Sequence, residues 1–376
     1  MSFVKNMPIW EKIKSNKGTF VVAEVGKGFI QTEEDQSVEV YLKNAKELAR
    51  LAKESGADAV KFQTHAIDDE QANVNVVAPH FKGADRYNWV KRNTLATPVW
   101  FWQELKKYCD QIGIIFFSTP MSRGAAKILN DIGMELWKVG SGDILDFVML
   151  DYIASTKKPL IISGGMSTLE EVDKAVDFLK NRKVEFALMH CVSKYPCPPE
   201  ELQLQTVNFF KERYSIPVGF SDHSIGIDSA LASVALGATI IEKHFSLSRD
   251  LWGSDHKVAM TPSELKEMVK GIRDMESNPS KKEKYLGNEI VKAGMGDSIK
   301  TLQEGEAQFR PFFRKTLVAS ADIPKGIKIK SEMLSAMRPQ LHLKGLPSEE
   351  YENVLGRRSK LDISRGSPIS REFIGD

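Results

Sequence analysis

The stretch IPVGFSDHSIGIDSALASVALGATIIEKHF, residues 216–245, decides the fold. It opens on a short apolar run, 216–221, closes on another, 239–245, and carries a helical segment between them. Runs of four to eight residues rich in Val, Ile and Phe, bounded by Gly, Pro, Ser or Asp, are the mark of parallel strands buried on both faces. Six more lie upstream, at 19–25, 58–64, 114–119, 136–141, 159–163 and 185–191. Amphipathic segments such as 39–54 and 168–180 lie between the runs, with apolar residues three and four apart. Ser167 stands at an N-cap position, and Glu170 three residues on completes a capping box. Eight strand–helix units within about 280 residues predict an α/β fold, a closed (β/α)8 TIM barrel, since an open doubly wound sheet typically uses five or six strands.

One interval breaks the rhythm. Residues 65–97, between the second and third strands, are long and rich in His, Asn and aromatics, which reads as an insertion at the barrel mouth serving as a lid or a subunit contact. Beyond Met275 the character changes. The barrel is assigned to 1–280, a polar linker to 281–312, and a small β-rich domain to 313–376. The last segment carries an echo: Asp322-Ile323-Pro324-Lys325-Gly326 is repeated forty residues later as Asp362-Ile363-Ser364-Arg365-Gly366. That repeat predicts a pseudo-symmetric unit, too small for more than a modest core and so expected to dock on the barrel or a neighbouring subunit.

Composition narrows the function. With 52 Lys plus Arg against 50 Asp plus Glu in 376 residues, the net charge of +2 gives no electrostatic reason for a nucleic-acid or anionic-membrane partner. No apolar run reaches the 18 or so residues of a bilayer span, and the opening MSFVKNMPIWEKIKSNK has no secretory h-region. Cys109, Cys191 and Cys197 form no CxxC pair and read as reduced thiols of a cytoplasmic protein.

In such a barrel the reacting groups come from the C-terminal ends of the strands. Those ends supply Glu24; Lys61 and Gln63; Lys138 and Ser141; Ser163; Ser193 and Tyr195; Ser221, Asp222 and His223; Glu242 and His244. Polar side chains at so many strand ends are costly to bury unless they serve a site. His223 and His244 end neighbouring strands, so their imidazoles can converge on one metal, with Glu24 or Asp255 nearby; two His, a carboxylate and water suit Mn²⁺, Fe²⁺ or Zn²⁺. Two hydrogen-bonded structural histidines are the plainer alternative. Lys61 and Lys138 with Ser141, Ser163, Ser193 and Ser221 read as a cradle for phosphate or carboxylate, against the alternative of rim lysines paired to Glu24 or Glu242. Gly164-Gly165-Met166 permits close backbone approach to an anion. Asp255-His256 reads as a substrate-binding or acid–base pair or as a solvated turn, and His65 and His190 as structural.

The strings Lys61-Phe62-Gln63-Thr64, His190-Cys191, Tyr195-Pro196, Ser221-Asp222-His223-Ser224, Glu242-Lys243-His244-Phe245 and Ser254-Asp255-His256, with Met337-Arg338-Pro339 near the end, occur in order. Together they resemble the sialic acid synthase (N-acetylneuraminate synthase) family, over nearly the whole chain. The resemblance implies a (β/α)8 barrel joined to an antifreeze-like (SAF) domain, and a reaction of phosphoenolpyruvate with an N-acetylated amino sugar. It implies His223 and His244 as ligands of a divalent metal, usually Mn²⁺, with Mg²⁺ or Co²⁺ as alternatives. It assigns phosphoenolpyruvate to Lys61, Lys138, Ser141, Ser163, Ser193 and Ser221, and places the acidic Glu24 beside metal and reacting carbons. Gln63, Tyr195 and Asp255 fall on sugar-binding positions, and Glu242 joins the substrate-binding set. Arg338 falls on an arginine that the C-terminal domain delivers to the partner subunit's site, which implies a domain-swapped homodimer. The chain departs from the family's Asn-His-rich stretch at Gly26-Lys27-Gly28-Phe29-Ile30, and also at Gly164 and Ser193. These departures leave N-acetylneuraminic, legionaminic, pseudaminic and spore-coat polysaccharide chemistry as alternatives for the product. A Schiff-base aldolase using Lys138 or Lys243, and a non-catalytic carbohydrate-binding protein, are the competing classes.

Overall fold

The computed structural model describes residues 9–15, 18–77 and 85–375. Eight parallel strands are present: β1 Phe20–Gly26, β2 Ala59–Thr64, β3 Ile115–Pro120, β4 Trp137–Val139, β5 Leu160–Ser163, β6 Phe186–Cys191, β7 Val218–Asp222 and β8 Ile240–His244. They are hydrogen-bonded in the order β3-β2-β1-β8-β7-β6-β5-β4, and the two end strands lie against each other across the remaining seam. This is the expected (β/α)8 barrel, nearly closed. β1 and β8 pair with Glu24 opposite His244, β1 and β2 with Glu24 opposite Lys61, and β7 and β8 with Ser221 opposite Glu242. The register therefore sets the candidate groups at two adjacent levels of the barrel, Glu24 with Lys61 and His244 at one, Glu242 with Ser221 at the next.

The outer helices follow from their apolar stripes. Helix Val38–Glu54 buries Tyr41, Leu42, Ala45, Leu48, Ala49 and Ala52, spaced for one face, and Ser37 caps its start. Truncating a fully buried leucine such as Leu48 in this layer costs about 2–5 kcal/mol. At the N-terminal end of the barrel, helix Ile9–Lys14 buries Trp10 and Ile13 and pairs Lys12 with Asp58 and Lys14 with Glu185, just ahead of β2 and β6. No helix among the described residues is long and apolar enough to cross a membrane.

Three local expectations change. The capping box lies one residue later, at Thr168 and Glu171, because the Ser167 hydroxyl is engaged by the Gly165 carbonyl and Arg314. β4 is short, so Ser141 stands beyond it in the 3₁₀ turn Ser141–Asp143. Residues 281–312 are no slack polar connector. They carry the short helices Lys282–Leu286, Glu289–Gly294 and Glu304–Ala307, start the helix Arg310–Phe313, and bury Val291, Lys300 and Glu306. Within the insertion between β2 and β3, helices Ile67–Glu70 and Arg86–Ala96 flank residues 78–84, which lie outside the described set.

The C-terminal domain pairs β9 Thr316–Ala319 antiparallel with β10 Leu334–Met337. The repeated pentapeptides meet about a pseudo-twofold: Ile323 bridges Ile363, the Lys325 N–H donates to Asp362 at 2.7 Å, and the Arg365 N–H donates to Asp322 at 2.7 Å. Gly326 and Gly366, at φ 81° and 83°, take the same left-handed turn in each copy. Asp322→Ala and Asp362→Ala are each expected to lower the unfolding free energy by about 1 kcal/mol through one lost backbone acceptor. Urea unfolding of the full chain checks this, and equal costs for the two variants are the signature of the symmetry.

Candidate active site

Side chains alternate along a strand, so Glu24, Lys61, Gln63, Lys138, Glu242 and His244 all turn into the barrel. Two carboxylates and two ammoniums meet there, all nearly fully buried. Lys61 Nζ lies 2.7 Å from Glu24 Oε2 and 3.5 Å from Glu242 Oε1, and it donates to Thr119 Oγ1 at 3.1 Å. Lys138 Nζ donates to Ser163 Oγ at 2.8 Å and lies 3.6 Å from Glu242 Oε1. Ser221 Oγ donates to the same Glu242 oxygen at 3.4 Å, and Gln63 Nε2 to Glu24 Oε1 at 3.0 Å. Of the two expected readings, the structure shows the pairing of the lysines with Glu24 and Glu242, and places it inside the barrel among hydroxyls instead of at its rim. Isolated, such charges would cost several kcal/mol each to bury; paired, they balance.

Burial lifts the Glu24 carboxyl to about 7, Lys61 resisting and the Glu242 charge assisting. Glu242 goes the other way: burial penalises its charge, but Lys138 and Lys61 outweigh it and hold the carboxyl below its usual value. Burial lowers Lys138, with Glu242 opposing; burial works to lower Lys61 too, but the Glu24 and Glu242 carboxyls together overcome it and Lys61 is raised.

Beside this cluster stand the two imidazoles, with ring centroids 5.4 Å apart and the ring of Tyr195, half exposed, tilted 34° to that of His223 at a centroid distance of 4.1 Å. His223 Nδ1 faces the Val192 carbonyl at 2.8 Å and so must donate to it, which makes Nε2 the nitrogen that would meet a metal. Burial works against a charge on this ring, but Cys191 and the Val192 carbonyl outweigh it and raise its pKa, so a metal would have to displace a proton from Nε2. Burial, with the nearby His223 assisting and Asp255 opposing, lowers His244 to about 4, so its ring is neutral, the form that ligates. The residues fit a divalent cation bound through two imidazoles. Among the described residues no larger group of His, Cys, Asp and Glu is arranged to hold one, so its remaining positions would fall to water and substrate.

Ser141 and Ser193, expected to complete an anion cradle, flank Cys191 at 3.5 and 3.7 Å. A Cβ on Gly165 would lie 2.5 Å from Ser193 Oγ and 2.6 Å from Ser141 Oγ, so only glycine lets that backbone approach the two hydroxyls. Half-buried Asp255 comes to the Glu24–Gln63 corner: a Cβ on Gly26 would be 3.2 Å from each of those side chains and 3.4 Å from Asp255. His256 is held by Ser246 at 2.6 Å, His190 by the Leu202 carbonyl at 2.7 Å, and His65 by Glu70, all structural contacts.

One expectation is corrected. Asp222 and Lys243 face outward and pair at 2.7 Å, Lys243 also donating to the Ser224 carbonyl, so neither belongs to the site and Lys243 cannot serve as an imine-forming lysine. Arg338, which the resemblance assigns to a partner's site, lies in this single chain against its own barrel. Its Nη2 donates to Asp143 at 2.6 Å, and its backbone joins Glu70 and Ala72 of the β2–β3 insertion. The packed helices of 282–313 lead the C-terminal domain back over the strand ends, and Lys315 pairs with Asp143 and Asp146 beside it.

Several residues escaped the sequence reading. Thr119 carries a signal of its own, a hydroxyl at the last position but one of β3. Asp143, two residues past Ser141, binds both Arg338 and Lys315. Arg86, whose guanidinium lies 4.5 Å over Trp89 and 5.2 Å over Phe313, had no local motif to mark it. A cleft at the opposite end of the barrel, lined by Thr19, Lys211, Glu276 and Lys282 among others, gathers none of the site residues.

A parallel eight-stranded barrel with its ionisable groups converging at the strand ends defines the (β/α)8 enzyme class. Within that class the comparisons are specific. Residues 48–284 match the NeuB family and residues 314–374 the SAF domain. The chain is 33% identical to the N,N'-diacetyllegionaminic acid synthase of Legionella pneumophila, covering 89% of this chain and 90% of that one. It is 28% identical to the N-acetylneuraminate-9-phosphate synthase of Homo sapiens, over 94% and 92%. Among solved structures, the spore coat polysaccharide biosynthesis protein SpsE of Bacillus subtilis superposes with a TM-score of 0.76 at 30% identity, covering 96% of each chain. The chain belongs to the NeuB family and is an enzyme of the sialic and related nonulosonic acid synthase type.

The raised Glu24 carboxyl has a consequence for stability. Folded, it keeps its proton up to about pH 7; its reference value is 4.5. The folded chain therefore holds an extra proton between those values, and this contribution to stability is lost as the pH rises through that window. Glu24→Gln removes the slope. Urea midpoints followed from pH 5 to pH 8 are expected to fall for the wild type relative to the variant, and parallel curves would contradict the assignment.

Proposed function

We propose that the enzyme condenses phosphoenolpyruvate with the open-chain aldehyde of an N-acetylmannosamine-type sugar, giving a sialic acid or related nonulosonic acid and inorganic phosphate. The observation that carries this is the meeting of two buried ammoniums and a set of inward hydroxyls with two convergent imidazoles. The first set matches the charge of an enolpyruvyl phosphate ester; the second matches a cation-activated carbonyl. The relatives' names, a legionaminic acid synthase and an N-acetylneuraminate-9-phosphate synthase, support a product of the sialic and related nonulosonic acid type.

A divalent metal, Mn²⁺ in the first instance, supplies Lewis-acid polarisation of the aldehyde oxygen when bound to His223 and His244. The chain's own residues do the rest. Lys61 and Lys138 meet the phosphate and carboxylate charges, releasing Glu24 and Glu242 from their ion pairs. Ser141, Ser163, Ser193 and Ser221 direct hydrogen bonds to the same oxygens, and Gln63, Tyr195 and Asp255 line the side from which the sugar approaches. The methylene carbon of phosphoenolpyruvate forms the new bond to the aldehyde carbon, leaving cationic character at the ester-bearing carbon. Water adds there, its proton passing to Glu24, whose carboxyl titrates near neutrality. The resulting tetrahedral carbon expels phosphate with cleavage of the C–O bond, its hydroxyl proton leaving with the phosphate as the ketone forms, and Glu24 returns its proton to the oxygen of the former aldehyde. Placement and charge stabilisation carry most of the acceleration. Homodimerisation and a reducing, cytoplasmic location belong to the same proposal, the latter in keeping with three free thiols.

The test is phosphate release from phosphoenolpyruvate with a panel of N-acetylmannosamine analogues and 6-deoxy diacetamido sugars, with and without chelator. Release is expected only when a sugar and a divalent metal are both present. His244→Ala is expected to lower turnover by about a hundredfold or more while the unfolding midpoint moves by no more than about 5 °C. Full activity in chelator, or borohydride trapping of pyruvate on a lysine, would overturn the proposal in favour of another chemistry.

A further inference from the structure

The segment joining the two domains reaches into the barrel mouth. Glu306, fully buried in the helix Glu304–Ala307, accepts two backbone hydrogen bonds on one carboxylate oxygen: from the Met166 N–H at 2.8 Å and from the Ser193 N–H at 2.7 Å. These amides belong to the loops after β5 and β6. From the same segment Arg314 donates to the Met166 carbonyl at 2.6 Å, to Ser167 Oγ at 2.9 Å, and to the carbonyls of Ser141 and Gly142 after β4 at 3.3 and 3.4 Å. Arg310 donates to the Met166 carbonyl at 3.1 Å and pairs with Glu171. One stretch of nine residues, 306–314, therefore grips three consecutive strand-end loops.

What these loops hold is the serine cradle. Met166 sits at φ 52°, a left-handed conformation that a side-chain-bearing residue rarely adopts, and both its N–H and its carbonyl are tied to the joining segment. On the other side of that turn Gly165 faces the Ser141 and Ser193 hydroxyls at the close distances already given. Releasing the Met166 and Ser193 amides would leave two buried donors unsatisfied and let the two hydroxyls drift apart.

We infer that Glu306 is a positioning residue for the phosphate end of the substrate: it locks the loops after β5 and β6 so that Ser141 and Ser193 meet the anion, and it makes anion affinity depend on the joining segment being seated. This rests on the phosphoenolpyruvate reading of the cradle. Nothing in it requires Glu306 to touch substrate.

Calorimetric titration of the full chain with phosphoenolpyruvate, alongside steady-state kinetics for both substrates, tests it. Glu306→Ala is expected to weaken phosphoenolpyruvate binding and raise its KM by about tenfold or more, with the sugar KM within about twofold of wild type. Glu306→Gln keeps an acceptor oxygen for both amides and is expected to recover most of the affinity. Glu306→Asp keeps the charge but is one methylene too short to reach both amides, and is expected to behave like the alanine variant; it carries the comparison if the alanine chain does not fold. Wild-type phosphoenolpyruvate affinity in the aspartate variant, or an equal rise in both KM values, would overturn the inference. Failure of the wild-type chain itself to bind phosphoenolpyruvate would overturn the functional reading instead.

Discussion

Four buried charges in the barrel, Glu24, Lys61, Glu242 and Lys138, hold the site together. Their mutual pairing is what makes it possible to keep two ammoniums in a low-dielectric cavity at all. In the proposed reaction a dianionic substrate would offer the ammoniums new partners, so its binding would exchange ion pairs instead of adding a fresh desolvation. Glu24, lifted by burial to about 7, would then be the carboxyl that takes and returns a proton.

The barrel serves this cluster by register. Strand alternation turns Glu242 and His244 inward while Lys243 between them turns outward to Asp222, so adjacent residues of one strand have unrelated roles. The second domain serves it by contact: Arg338 and Lys315 converge on Asp143, and residues 306–314 brace the loops that follow β4, β5 and β6. The joining segment braces the loops from behind, through their backbone.

Much of this was legible in the residues. Eight apolar runs specify the barrel because buried parallel strands need long stretches of β-branched and aromatic residues, and the inward groups stand out as polar interruptions at fixed positions. The pentapeptide repeat was legible too, and its two aspartates prove to cap each other's turns. What escaped has a common cause. Glu306, Arg314 and Arg86 act through tertiary contacts spanning many residues, and each sits in sequence that looks like solvated surface. Ser167 looked like the cap because its spacing was right, yet Arg314, far along the chain, takes its hydroxyl and shifts the helix start. Arg338 was legible as a site residue, but which barrel it serves depends on how the joining helices pack, and no motif encodes that.

The most direct measurement is a crystal structure of the enzyme soaked with phosphoenolpyruvate. The account predicts Lys61 and Lys138 ammoniums within about 3 Å of ligand oxygens, with Glu242 moved off at least one of them and Ser141 and Ser193 hydroxyls on the same anion. A ligand bound elsewhere, with both lysines still on their carboxylates, would contradict it.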